Sequence, residues 1–144
     1  MNIMEVPFRL VGIKTTEFAK FEQAYMPEAV YEVAVQLGFR IIDQENVIEV
    51  NTHFTFELKN KPVLLIAISC FFELQSLNEY INKDSNTIIL PKNIAQHFAV
   101  LTIGTARGVL HAKTEGININ ALILPSINVA DLVNKDIVIT PSKS

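Results

Sequence analysis

The side chains best suited to chemistry are three histidines (His53, His97, His111), one cysteine (Cys70) and two carboxylates that share a strand face, Glu49 and Glu57. A metal site needs His, Cys or carboxylate ligands at short, characteristic spacings. No two histidines stand at such a spacing, and no second cysteine exists to help Cys70. Cys70 lies in the run Val63–Phe72, where a thiol is a small apolar packing group. Glu49 and Glu57 are eight residues apart along one extended segment, too far for an acid–base dyad, and their expected role is solubility. The string Ile103-Gly104-Thr105-Ala106-Arg107-Gly108 is glycine-rich. It falls inside a helical pattern, whereas a phosphate cradle stands between a strand and a helix. No catalytic residue, metal ligand or cofactor is therefore expected, and the residues to position are apolar ones.

The elements that position them have clear periods. From Val47 to Lys59 the series Ile48, Val50, Thr52, Phe54, Phe56, Leu58 is apolar except for Thr52, and the alternate series is polar. Period two over a dozen residues predicts a long strand with one buried face, in an antiparallel sheet whose other face is wet. Ala29 to Asp43 alternates likewise, with Tyr31, Val33, Val35, Leu37, Phe39 and Ile41 on one side and Glu32, Gln36 and Arg40 on the other. The turn Asp43–Asn46 makes these two a hairpin, and Lys59-Asn60-Lys61-Pro62 is a second turn. Phe8 to Phe18 predicts a first strand with a bend or bulge at Gly12. Val63 to Glu73 is apolar on both faces and belongs in the middle of the sheet or at a subunit contact. A meander of long strands is expected.

After a polar stretch, Gln75 to Asn86, with a short helical turn near Leu77–Ile81, the period changes. From Pro91, rows at Ile94, Phe98, Leu101, Thr105, Val109 and at Ala95, Ala99, Ile103, Ala106, Leu110 predict a helix with a broad apolar face, stopped by Gly116. Gly104 and Gly108 each weaken that helix by about 1 kcal/mol relative to alanine. Together with Ala95, Ala99 and Ala106 they suggest close approach of another backbone, either the chain's own sheet or a helix of another subunit. Leu122 to Pro125 is extended, Asn128 caps a short helix over Val129–Asn134, and Ile137-Val138-Ile139 is a last strand or a docked tail.

Composition narrows the class. At 144 residues one domain is expected. Hydrophobic residues make up 49% and charged ones 19%, an apolar balance that a second copy of the chain would serve to cover. The net charge of −3 without a Lys/Arg run argues against nucleic acid. No apolar run reaches the ~18 residues of a membrane span, and no leader pattern is seen. The single cysteine points to a reducing, cytoplasmic setting.

Several strings then resemble the SecB export-chaperone family. Phe8-Arg9-Leu10-Val11-Gly12-Ile13-Lys14-Thr15-Thr16-Glu17 is similar to its first strand, and Val47-Ile48-Glu49-Val50 with Phe54-Thr55-Phe56 to its third. Ile89-Leu90-Pro91 resembles the entry to its long helix and Arg107-Gly108 that helix's end. Leu122 to Val133, with Leu124, Asn128 and Leu132 in register, resembles its crossover and last helix. The resemblance to a divergent member implies an α+β fold, a four-stranded antiparallel sheet with a long and a short helix on one face. It implies an ATP-independent holding chaperone for unfolded or extended polypeptide, working in protein export as a homotetramer built as a dimer of dimers. Groove candidates, chosen for apolarity near the sheet–helix edge, are Phe54, Phe56, Phe72, Phe98, Leu101, Leu122 and Leu124. Of the acidic positions that dock the SecA motor, only Glu17 has a counterpart here. A dedicated adaptor for one partner, such as an antitoxin, and a small-ligand carrier are the alternatives.

Overall fold

The computed structural model describes residues 7–42 and 46–141. Four long strands, β1 (Phe8–Lys20), β2 (Glu32–Ile42), β3 (Val47–Leu58) and β4 (Lys61–Leu74), form one antiparallel sheet in the order β1-β4-β3-β2. The expected meander holds for β2, β3 and β4. The first strand departs from it by crossing to the far side and pairing with β4. The apolarity of β4 explains the placement: a strand greasy on both faces gains most from a neighbour on each side. Asp43, Gln44 and Glu45 of the expected β2–β3 turn lie outside the described residues, and the pairing of Ile42 with Val47 joins the strands on either side. Between β3 and β4, Lys59 and Asn60 both have positive φ, 53° and 66°, which makes a tight two-residue hairpin matched to the twist of its strands.

Strand β1 carries register shifts between Leu10 and Gly12 and between Thr15 and Glu17. The first is the bend expected at Gly12, where an added Cβ would meet the Phe71 ring at 3.4 Å. The inner face of the sheet is covered by α1 (Lys92–Thr114), which packs on β3 and β4. The Phe72 and Phe98 rings stack 4.2 Å apart and nearly parallel, and Phe8 meets both edge-on. Such pairs add about 0.5–1.5 kcal/mol each beyond their buried area. The second predicted row, Ala95, Ala99, Ile103, Ala106 and Leu110, is buried throughout. Of the first row Ile94 and Phe98 are buried, while Leu101 turns outward and Thr102 is buried beside it. Thr102 and Thr114 are buried because each hydroxyl donates back to a carbonyl four residues earlier, Phe98 and Leu110, both at 2.8 Å.

A second, three-stranded sheet was not foreseen. Strand β5 (Ile81–Asn82) pairs with β6 (Thr87–Leu90), and β6 with β7 (Ile137–Ile139). These strands are too short to show a period. The last of them resolves the open reading of Ile137–Ile139 as a strand. Between α1 and β7 the chain makes a 3-10 turn at Asn118–Ala121, an extended crossover, and the one-turn helix α2 (Val129–Leu132). Asn128 caps α2 as expected, accepting from the Ala130 N–H at 3.1 Å. Among the described residues no helix is long and apolar enough to cross a membrane.

Candidate functional site: an apolar groove beside the long helix

The glycines of α1 and three of its four alanines have opposite fates. Ala95, Ala99 and Ala106 are buried on the sheet side. Gly104 and Gly108 face out, and a Cβ built on either meets nothing within 4 Å. Neither glycine is required by the chain's own packing. Above them runs the crossover. Leu122 and Leu124 turn inward and are nearly buried, while Ile123 between them is 69% exposed. The space between helix and crossover is a groove of about 400 Å³, lined by Gly104, Arg107, Gly108, Leu110 and His111 of the helix and by Asn120, Leu122, Ile123 and Leu124 beyond it.

Two polar ties fix the groove's walls. Arg107 donates from Nη2 to the Pro125 carbonyl at 3.1 Å. Asn120 donates from Nδ2 to the Thr114 hydroxyl at 2.9 Å and the His111 carbonyl at 3.2 Å. The segment from Ile117 onward also borders a second hollow of similar volume, lined by Glu22, Tyr25, Pro27, Ile117, Asn118 and Ile119. There Tyr25 stacks on Tyr31, whose hydroxyl bonds the Met26 backbone and braces the β1–β2 connection.

The sequence-derived groove residues divide. Leu122 and Leu124 line the groove. Leu101 lies on the outer helix face, 37% exposed and outside the groove lining. Phe54, Phe56, Phe72 and Phe98 are 0–2% exposed in the sheet–helix core and line no open groove. They are large and inward-facing on elements that α1 covers, so the single chain seals them. The residues missed were Arg107, Leu110, His111, Asn120 and Ile123. The paired glycines were the signal that marked this face.

The sheet's outer face holds a different constellation. Arg40 bonds one oxygen of Glu49, the Ser69 hydroxyl donates to the other at 2.6 Å, and Asn51 donates to Ser69 at 2.9 Å. Asn51 also reaches Thr16, whose hydroxyl donates to the Ala67 carbonyl. The chain of bonds crosses all four strands. It leaves Glu49 only 8% exposed, so that residue is a structural hub and not the solvated charge expected. Glu17 stands 3.5 Å from His53 Nε2 on the same face. Among the described residues no three His, Cys, Asp or Glu side chains gather as a metal site would require.

No protein-family model matches the chain, and no curated protein matches its sequence. A solved structure does match its fold: the SecB-like chaperone Rv1957 of Mycobacterium tuberculosis, solved in complex with a ChAD peptide from the Rv1956 HigA1 antitoxin. The superposition has a TM-score of 0.59 and covers 84% of this chain and 90% of that one, at 8% sequence identity. The fold is therefore the SecB-like α+β fold, a four-stranded antiparallel sheet with a long and a short helix.

Proposed function

We propose that the chain binds extended, unfolded polypeptide segments in the groove between α1 and the crossover, as an ATP-independent holding chaperone. The observation that carries this is the open space above Gly104 and Gly108. Two glycines weaken a long helix, no side chain among the described residues occupies the room they leave, and the walls of that room are leucines. Burying one Leu-sized client side chain there contributes about 1.5–3 kcal/mol, or roughly 10- to 150-fold in affinity. The peptide held by the SecB-like neighbour supports the same class of ligand.

Self-association belongs to the proposal. Leu10, Val11 and Ile13 are about half exposed on β1, which is a free edge of the sheet, and a second copy would cover them in a dimer and, by doubling, a tetramer. Docking to a SecA-like motor would rest on Glu17 alone, and that carboxylate already faces His53, so the proposal does not include it.

The test is suppression of aggregation of several unrelated unfolded proteins, with wild type beside Gly108→Leu. A Cβ at position 108 meets nothing within 4 Å, and the rest of the leucine side chain would occupy the groove. Expected is holding by the wild type, and at least tenfold weaker holding by the variant at unchanged secondary structure. Protection of only one folded partner would point to a dedicated adaptor, and equal holding by both proteins would remove the groove from the mechanism.

A further inference from the structure

The chain has three arginines, and two of them hold a carboxylate of the same chain: Arg9 holds Glu73 and Arg40 holds Glu49. The third, Arg107, lines the apolar groove, and its hydrogen bond there is to the Pro125 carbonyl. No acidic residue lines that groove. A guanidinium has five N–H donors in a planar fork suited to a carboxylate. One bond to a carbonyl leaves most of that fork free while it orients the group along the crossover wall. The groove thus offers a positioned cation beside leucine walls, with no carboxylate among the described residues paired to it.

Resting on the groove's role proposed above, we infer that the preferred segment is an apolar run carrying an aspartate or glutamate side chain, which Arg107 engages while the flanking apolar groups fill the space over Gly104 and Gly108. Arg107 is a specificity-determining residue of the groove. The ion pair is exposed at its rim, so its effect is modest and falls with salt.

The experiment measures binding of two labelled, C-terminally amidated apolar peptides that differ only by Glu against Gln at a central position. Expected for the wild type is about fivefold tighter binding of the Glu peptide at low salt, shrinking towards equality at high salt. Arg107→Gln brings the ratio to about one, and Arg107→Lys keeps part of it. A wild-type ratio of one overturns the inference and leaves the groove intact. So does an Arg107→Gln variant that weakens both peptides equally, because that is the signature of a lost tie to Pro125 alone. A preference seen only with a free C-terminus reassigns Arg107 to terminal carboxylates and also overturns it. Failure of both peptides to bind removes the groove itself.

Discussion

The outer face of the sheet and the outer face of α1 both turn to solvent, and they are built on opposite plans. On the sheet, the hydroxyl and amide donors of the Arg40–Glu49–Ser69–Asn51–Thr16 series are spent on the chain itself, and the central carboxylate is nearly sealed. On the helix, Gly104 and Gly108 leave space unfilled, Arg107 keeps donors in reserve, and the nearly buried Leu110, Leu122 and Leu124 wall an open groove. A satisfied polar network rigidifies a surface and gives a ligand little to gain. An unfilled apolar groove does the reverse, because each apolar group placed in it leaves water.

Substitutions can break this contrast in order of size. The largest effect is expected in neither face but in the layer between them. Phe98→Ala removes the ring stacked on Phe72 and should destabilise the fold by about 3–5 kcal/mol, measured by urea unfolding. Any loss of client binding should then follow the fraction unfolded. If folded Phe98→Ala protein lost its clients, Phe98 would belong to the groove after all. On the sheet, Ser69→Ala strips one donor from the buried Glu49 carboxylate and should cost about 1–3 kcal/mol without moving client affinity. A change in client affinity there would break the division of labour between the faces.

On the helix the sign reverses. Gly104→Ala has room for its methyl group and should stabilise the fold by about 1 kcal/mol, seen as a raised Tm, while weakening client binding a few-fold. Stabilisation with unchanged binding would show the glycine to be idle. The smallest effect is expected at Glu17→Gln, where the partly exposed contact with His53 should change stability by less than about 1 kcal/mol.

The legibility of these regions in the amino-acid order differed for physical reasons. Strands β2 and β3 could be read because each turns one series of side chains towards the core and the other outward, so period two runs through them almost unbroken. The centrality of β4 could be read from its apolarity on both faces. Glu49 was misread because its neighbours on the face, Ser69 and Arg40, come from other strands, and local pattern shows a charge without showing what lies across from it. The groove was half legible. Leu122 and Leu124 pointed to it, and the two glycines marked its helix face but suggested the approach of another backbone. Phe54, Phe56, Phe72 and Phe98 looked the same by residue type as the two leucines and are core, and Leu101 lies outside the lining.

Local pattern by itself determined the four long strands, where the long helix runs, and that Asn128 caps a turn, since these depend on neighbours a few residues apart. Tertiary structure alone decided that β1 joins β4, that Asp136 accepts from the Lys92 N–H at 2.8 Å and so holds the start of α1, and that Ile137–Ile139 completes a second sheet. It also decided which apolar side chains are covered. Burial depends on what the rest of the chain lays over a residue, and partners dozens of residues away leave no mark in the local sequence.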